Sequence, residues 1–421
     1  MSEVHALVDH LARREAGRMV SILTRLFGLH NLELVEDIVQ DTHQQALMDW
    51  TADALPDNPQ GWLMTVARRK AINAIKRERT VRSFAGDMDA LLKSEWTAGY
   101  AVDNVFLENE IRDSQLRMIF TCCHPALPPE AQIALTLKTL CGFSIGEIAA
   151  ALLTSEANVN KRLYRAKEKF RHEGITFTVP SGAALFDRLD AVLLVIYLLF
   201  NEGYHSAGDN LAIRKDLCLE AMRLAMLLMD KPILKGYPQT PALLALMCFH
   251  TARFDARTDD NECLVLLEEQ DRSRWDHDLI NEGLRFLSQS AFGSEVTEYH
   301  LEAAIAAEHC LAPRFSETNW SRIHAHYVAL ERLKPSAVIR LNLAVITGKT
   351  EGPRAAISRL HELERGGALE NYPLLYASLG EFYFECGEKE KALAYFTRAK
   401  QYTKQPATLE VLDRKVAACG R

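Results

Sequence analysis

Helical periodicity constrains this chain most, because nearly every patterned segment repeats its apolar residues at the spacing of an amphipathic α-helix. Near the start, Val4, Leu7, Val8 and Leu11 follow the i, i+3, i+4, i+7 pattern. The same pattern recurs in a second segment, at Val35, Ile38, Val39, Thr42 and Ala46. Alternating apolar and polar residues, which mark β-strands, are nearly absent. We therefore predict an all-α fold.

Two stretches interrupt the helical pattern. Residues 81–104 mix small, polar and acidic residues, and residues 173–184 contain Gly, Pro and Ser. Such stretches are typical of linkers. They predict three units, at residues 1–80, 105–172 and 185–421, which is an ordinary number of domains for 421 residues.

The composition narrows the class of protein. A formal net charge of −7 argues against a general polyanion binder, so contact with nucleic acid would need local basic patches. The nine cysteines form no CxxC motif, and scattered thiols fit a reducing cytosol. The longest apolar run, residues 191–200, is about half the length of a membrane span. The N-terminus lacks the apolar core of a signal peptide. We expect a cytoplasmic protein with no membrane contact.

The first unit is polarised in charge. Seven acidic residues and no Lys or Arg lie between Glu33 and Asp57, and Asp37 and Asp41 stand one helical turn apart beside Gln40. The sign then reverses, since basic residues dominate from Trp62 to Arg82 and include Arg68, Arg69, Lys70, Lys76 and Arg77. A single charge run is more often a solvated helix face. The two runs in succession predict one face for a basic protein and another for nucleic acid.

The second unit contains a helix-turn-helix pattern. Ser144 and Glu147 form a capping box, and Ser155 is placed to cap a second helix. The buried positions of that helix are predicted to be Val159, Leu163 and Ala166. Its outer face carries Glu156, Asn158, Asn160, Lys161, Arg162 and Arg165, followed by Lys167, Lys169 and Arg171. Such a helix can enter a major groove, although helix pairs of this length also occur in ordinary bundles.

Three segments resemble parts of one known family. Residues 34–50 (LVEDIVQDTHQQALMDW) are similar to the polymerase-binding helix of sigma region 2. Residues 58–80 (NPQGWLMTVARRKAINAIKRERT) look like the adjoining part that melts and reads the −10 element. Residues 127–171 resemble sigma region 4, whose helix-turn-helix reads the −35 element. Their order, with a short linker between the two regions, resembles the extracytoplasmic-function (ECF) sigma factors.

The resemblance implies a role for particular residues. Asp37, Gln40 and Asp41 match positions that dock on the polymerase β′ clamp helices, and region 4 implies a contact with the β flap. Residues matching the −10 surface are Trp62, Arg68, Arg69, Asn73, Lys76 and Arg77, with a base-capturing loop at Trp50 to Pro59. Residues matching the −35 surface are Ser155, Glu156, Asn158, Asn160, Lys161, Arg162, Arg165 and Lys169. Many relatives have Asn where this chain has Arg69, so the resemblance does not give the −10 sequence.

The C-terminal half has a second repeat-like pattern. Tetratricopeptide spacing occurs at Tyr376, Leu379, Gly380, Tyr383, Gly387, Ala392, Phe396 and Ala399. A degenerate unit precedes it at Pro335, Asn342, Gly348 and Ala355. Residues 200–208, 244–258 and 266–276 resemble the ECF subgroup with a tetratricopeptide-type extension. That resemblance implies a regulatory domain acting in place of a membrane anti-sigma factor, and a regulatory protein as its partner.

Other site chemistries have weaker support. Cys122, Cys123 and His124, like His324 and His326, are better read as core or capping residues than as metal ligands. The charged cluster of residues 268–276 fits a salt-bridged surface, and no Walker, GxGxxG, HExxH or GxSxG motif is present. We predict a sigma factor that is not an enzyme and has no cofactor. The alternatives are a tetratricopeptide adaptor whose helix-turn-helix half binds DNA without polymerase, and a dimeric helix-turn-helix regulator.

Overall fold

The protein is all-α and divides into two compact units. A computed structural model describes residues 3–420 except for 52–54, 79–101, 153, 205–213, 231–233, 235, 260–264, 294 and 404–405. The described residues form helices and no β-strand, which confirms the predicted fold class. The two units are Met1–Leu199 and Phe200–Arg421. No helix in these described ranges is long and apolar enough to cross a membrane.

Among its described residues, the first unit contains seven longer helices, the start of an eighth, and a short helical segment at residues 102–105. In chain order they are α1 (Glu3–Phe27), α2 (Leu32–Asp49), α3 (Pro59–Glu78), α4 (Glu108–Cys122), α5 (Pro129–Thr139), α6 (Ile145–Ala151), α7 (Glu156–His172) and α8 (Ala183–Tyr204). The division between the units falls inside α8. The first unit therefore includes residues 173–199, which the sequence assigned to a linker and to the third unit.

Helices α1, α2 and α3 pack against one another. The core side of α1 carries Met19, Ile22, Leu23 and Leu26, all fully buried at i, i+3, i+4, i+7 spacing. Five residues of α2 are buried as the periodicity predicts, namely Val35, Ile38, Val39, Thr42 and Ala46. Gly28 separates α1 from a short 3-10 turn that leads into α2, and its φ of 81° favours glycine at this position.

The helix-turn-helix part packs on the same first helix. Helix α1 contacts both α4 and α5, and α7 contacts the turn that precedes α2. A Cβ atom added to Gly17 in α1 would lie 2.0 Å from the carbonyl oxygen of Leu140, so only glycine permits this approach. The Arg18 guanidinium also forms an ion pair with Glu108 at 2.5 Å. Of the predicted 81–104 linker, residues 81–101 lie outside the described ranges, and Val102 is buried.

The second unit continues as a succession of helices. They are α9 (Lys215–Met229), α10 (Gln239–Thr251), α11 (His277–Ser290), α12 (Glu298–Leu311), α13 (Trp320–Leu333), α14 (Ala337–Glu351), α15 (Pro353–Arg365), α16 (Pro373–Glu385), α17 (Lys389–Gln401) and α18 (Pro406–Cys419). Each of these helices packs against the next one along the chain, and α10 also packs against α12.

Helices α16 and α17 form the hairpin in which the sequence places a repeat. The patterned residues on both helices are buried, namely Tyr376, Leu379, Gly380, Tyr383, Ala392, Phe396 and Ala399. A Cβ on Gly380 would meet the Phe396 ring at 2.6 Å, so glycine lets the two helices approach. A Cβ on Gly348 of α14 would likewise lie 2.3 Å from the Phe382 ring, so glycine permits that approach as well. The patterned small residues therefore set the distances between neighbouring helices.

Candidate nucleic-acid and polymerase interfaces

The acidic run on α2 separates into two sets. Asp37, Gln40 and Asp41 are exposed, because the neighbouring apolar residues turn into the core. Glu36 is instead tied to the helix-turn-helix part, since its carboxylate accepts a hydrogen bond from Lys167 of α7 at 2.8 Å. Glu33 forms an ion pair with Arg171 of the same helix at 3.1 Å. Asp37 and Asp41 therefore stay open to a partner, whereas Glu33 and Glu36 are paired with α7.

The open acidic residues share a groove with the basic helix α3. The groove has a volume of about 580 Å³, and its polar lining comes from Asp37, Gln40, Asp41, Gln44, Lys70, Asn73 and Arg77. The sequence predicted an acidic face and a basic face without relating them in space. The structure places them on opposite walls of one groove, so a molecule bound there meets both signs of charge.

Helix α3 presents most of its predicted −10 residues on one side. Arg69, Asn73, Lys76 and Arg77 are exposed, and their spacing of four, seven and eight residues places them on one face. Arg68 points elsewhere and forms an ion pair with Asp103. The exposed residues lie where a phosphate backbone could reach them, and Arg68 is held by its ion pair with Asp103.

Trp62 rests on a second tryptophan. Its ring meets that of Trp50 edge to face, with 5.3 Å between the centroids, and both pack with Ala46 and Leu63. Trp50 is only 4% exposed, so it supports Trp62 and has no free face for a base to stack on. Residues 52–54 of the predicted base-capturing loop lie outside the described ranges.

The helix-turn-helix caps form as the sequence predicts. Glu147 accepts a hydrogen bond from the Ser144 backbone N–H at 2.8 Å, and the Ser144 hydroxyl accepts from the Glu147 N–H at 3.2 Å. The Ser155 hydroxyl accepts from the Asn158 N–H at 3.3 Å and begins α7. Val159, Leu163 and Ala166 are buried as predicted. These contacts fix the direction in which α7 leaves the turn.

The first half of α7 carries open polar and basic side chains. Glu156, Asn158, Asn160, Lys161 and Arg165 are exposed, and Arg162 is half-buried. Spacings of three and four residues place four of these side chains next to one another along the helix. They form a stripe of Asn158, Lys161, Arg162 and Arg165. Lys161, Arg162 and Arg165 make no ion pair with any described residue. Their charges are therefore available to an anionic partner.

The second half of α7 is tied to the protein itself. Lys169 donates to the carbonyl oxygen of Ala126 at 2.5 Å and lies 3.4 Å from Glu173. Hydrogen bonds with Glu168 and then with Glu33 raise the pKa of Arg171 above its usual value. The sequence placed Lys167, Lys169 and Arg171 on an outer face. Sequence reasoning missed these internal contacts, because the pairs with Glu33 and Glu36 join distant segments and the Lys169 contact is with a backbone carbonyl oxygen.

One prediction tests the contact between α2 and α7. Reversing Lys167 to Glu should lower the free energy of unfolding by about 1 kcal/mol, because two carboxylates then face each other in a partly buried place. Adding Glu36→Lys should restore most of that loss. Thermal unfolding of the two single variants and the double variant, at about 0.1 M and 1 M salt, measures the coupling. Equal losses in the double variant and in the worse single variant would contradict a direct interaction.

No metal centre is formed by the described residues. No group of three His, Cys, Asp or Glu side chains among them could hold a metal ion. Cys122 and Cys123 are buried, and burial raises the pKa of the Cys122 thiol to about 12. The Cys122 sulfur lies 3.1 Å from the Thr139 hydroxyl. The paired cysteines therefore belong to the core of the helix-turn-helix part.

A capped helix-turn-helix that follows an acidic helix and a basic helix along the chain is an arrangement that suits a DNA-binding protein, and family comparisons identify its class. The model for sigma-70 region 2 matches residues 11–81, and that for sigma-70 region 4 matches residues 117–170. Residues 188–291 match a family of unknown function, DUF6596. The chain belongs to the sigma-70 family of RNA polymerase sigma factors, of the ECF type, and its C-terminal extension begins with the DUF6596 match.

Individual relatives cover different parts of the chain. An uncharacterized protein of Rhizobium meliloti is 36% identical over 88% of this chain and 86% of its own length. The ECF RNA polymerase sigma factor SigE of Mycolicibacterium smegmatis is 26% identical over 39% of this chain and 60% of its own. The ECF RNA polymerase sigma-E factor of Escherichia coli is 31% identical over 25% of this chain and 56% of its own. The chain thus spans less than two thirds of these two named sigma factors. No solved structure matches the chain.

Proposed function

We propose that this protein is an alternative sigma factor that binds core RNA polymerase, brings it to a promoter and opens the −10 region. The observation that carries the proposal is the separation of open charges within the first unit. Asp37 and Asp41 form an open acidic face on α2, and Lys161, Arg162 and Arg165 form an open basic stripe on α7. A factor that joins a basic protein surface to DNA needs both. This role involves no covalent chemistry and places the protein in the cytoplasm.

Core polymerase is the proposed partner of the α2 face. Asp37, Gln40 and Asp41 match the family positions that meet the β′ clamp helices, and a basic clamp surface suits exposed carboxylates. The groove wall formed by α3 lies directly beside them. The −10 strand and the polymerase would therefore lie close together on this part of the protein. Region 4 would contact the β flap.

The −10 element is the proposed partner of α3. Arg69, Asn73, Lys76 and Arg77 would contact the backbone of the non-template strand, and Trp62 would hold the melted edge against the Trp50 support. Arg68 would act after release from Asp103. Contacts with the backbone position the strand without reading its sequence. Sequence specificity comes from the capture of a base.

The −35 element is the proposed partner of α7. Glu156, Asn158 and Asn160 lie near the capped start of the helix, where Ser155 also stands, and Lys161, Arg162 and Arg165 lie one to two turns further along. Helices of this type read base edges with their early residues and meet phosphates with later ones. Lys169 is the proposed phosphate contact, once it leaves the Ala126 carbonyl oxygen.

The extension is proposed to regulate these activities. The buried small and aromatic residues of the α16–α17 hairpin support a tetratricopeptide-type domain, a class that commonly binds other proteins. A regulatory protein is therefore its proposed partner. Promoter recognition itself needs only regions 2 and 4 in the proposed mechanism.

The proposal is tested by promoter-specific run-off transcription with purified core enzyme. Transcripts should depend on this protein and should start at a fixed position on a cognate promoter. A matched reaction with the full-length chain carrying the Asp37→Lys and Asp41→Lys changes serves as the control. DNA binding by the protein alone, with no polymerase-dependent transcript from any promoter bound in cells, would contradict the proposal.

A prediction on −35 reading separates base contacts from phosphate contacts. Arg162→Ala or Arg165→Ala should weaken binding to the cognate site by about 1–3 kcal/mol and relax the preference at one base pair. Lys169→Ala should weaken all sequences alike and reduce the salt slope by about one. Selection from a library of promoter variants measures the preference. Identical selected sequences for both Arg variants and the native protein would remove these residues from base reading.

A further inference from the structure

The C-terminal unit contains a cavity that the sigma activity does not use. Its volume is about 320 Å³, and its walls come from α12, α13, α14 and α16, the 3-10 turn before α13 and the loop at residues 266–268. Most of the lining is apolar, with Phe315, Trp320, Ile346 and Phe382 among its residues. Small-molecule sites in proteins begin at about this size and have this kind of lining.

The aromatic side of the cavity is fixed by contacts within the protein. The rings of Phe315 and Trp320 meet edge to face, with 5.2 Å between their centroids, and His309 meets Trp320 in the same way at 5.5 Å. Phe382 is held against Gly348, where no Cβ intervenes. A planar group entering the cavity would therefore meet rings that are already positioned.

His309 lines this wall in its uncharged form. Burial, aided by the nearby Arg253 and Arg272 guanidinium groups, lowers the pKa of His309 to about 4. Its imidazole is therefore uncharged at neutral pH. The Nδ1 atom is buried and has no hydrogen-bond partner among the described residues.

The charged side chains that line the cavity favour a cation at its exposed edge, since Arg253 and Arg272 adjoin His309 but are not among the lining residues. Lys349 forms an ion pair with Glu385 at 3.2 Å, and Glu381 forms one with Lys415 at 2.9 Å. Glu268 is exposed and makes no ion pair or hydrogen bond with the described residues. One carboxylate of the lining is thus left uncompensated, and a single positive charge on a ligand would match it.

We propose that this cavity binds a small organic cation consisting of an aromatic ring system and an amine. The ring lies among Phe315, Trp320 and Phe382, and the ammonium group lies towards Glu268. Because Leu266 to Glu268 belong to the span that matches DUF6596 and the other lining residues follow it, a bound ligand joins those two parts of the unit. Ligand binding therefore stabilises the extension. The proposal is independent of the sigma activity.

Two probes with the same ring and opposite charge test the proposal on the full-length protein. Tryptamine and indole-3-propionate are titrated by calorimetry, and tryptamine should bind at least about tenfold more tightly. Its affinity should fall as salt rises, because Glu268 lies at the exposed edge. Failure of both probes to bind at millimolar concentration, or equal binding of both, would overturn the proposal.

Variants show where the ligand binds and control for misfolding. Ser378→Trp should abolish tryptamine binding by filling the cavity, and Glu268→Gln should reduce the preference for the cation about threefold or more. Lys349→Met should raise the affinity for tryptamine severalfold, since it removes a like charge and frees Glu385, and a misfolded protein could not show this gain. Glu362→Gln, an exposed change outside the cavity, is the matched control. Unchanged affinity in both Ser378→Trp and Lys349→Met would place the binding elsewhere.

Discussion

Asp37→Lys combined with Asp41→Lys is expected to weaken binding to core RNA polymerase by about 100-fold or more. Both side chains are exposed, so the double change leaves the core of the α1–α3 bundle intact. At a complementary interface, reversing two charges replaces attraction with like-charge repulsion, which costs several kcal/mol. The dissociation constant for core enzyme, measured by fluorescence anisotropy at about 0.15 M salt, checks the prediction.

The matched control uses another exposed carboxylate of the same helix. Asp49 lies at the C-terminal end of α2, and its carboxylate accepts hydrogen bonds from the Gln45 side chain at 3.0 Å. Asp49→Lys should keep nearly native polymerase affinity, and it should slightly favour the helix because a cation suits a helix C-terminus. Native affinity in the Asp37/Asp41 variant, or an equal loss in Asp49→Lys, would rule out the α2 face as the docking surface.

Gly17→Ala should lower the free energy of unfolding of the first unit by about 1–3 kcal/mol or somewhat more. The added Cβ would lie 2.0 Å from the Leu140 carbonyl oxygen and 2.7 Å from its carbonyl carbon, so no side-chain rotation can relieve the clash. Helix α1 would have to move away from the turn that precedes α6. Alanine is otherwise the better helix former, so a loss of stability here isolates the packing effect.

Chemical denaturation, followed by circular dichroism, measures the change. Gly146→Ala is a suitable control within the same unit, because its nearest neighbour is the end of the Glu156 side chain at 3.1 Å. That side chain is exposed and can move. A stability of Gly17→Ala equal to that of the native protein would show that α1 and the Leu140 turn are not closely packed in solution.

Local chemistry made part of this structure predictable. The Ser144–Glu147 capping box and the Ser155 cap follow from residue types at fixed spacing, and both form. The buried positions of α2 and α7 follow from helical periodicity. In each case, residues within one or two turns of a helix determine the outcome.

Contacts between distant segments were not predictable in the same way. Periodicity shows which face of α7 is buried, but opposite charges do not specify that Lys167 pairs with Glu36 or that Lys169 meets the Ala126 carbonyl oxygen. The sequence likewise places Trp50 at the start of a loop, whereas the packed helices bury its side chain. The cavity at Trp320 needs four helices and a loop to come together, and no single segment of sequence encodes it.

The close packing of α1 on the helix-turn-helix part limits the reach of the first unit. A compact unit of this size is roughly 40 Å across. Promoter elements centred near −35 and −10 are about 25 base pairs apart, or roughly 85 Å along B-form DNA. Occupying both elements in the proposed mechanism therefore requires α7 to separate from α2.

That separation changes the ions that accompany promoter binding. Lys167 and Arg171 begin with protein carboxylates as their counter-ions, whereas open lysines begin with anions from solution. When α7 separates from α2, Glu33 and Glu36 lose their partners on α7. They then take up cations from the solution, unless cationic groups of polymerase take the place of those partners. Each phosphate contact normally adds about 0.9 to the salt slope. The measured slope should consequently fall short of about 0.9 times the number of phosphates that the protein touches.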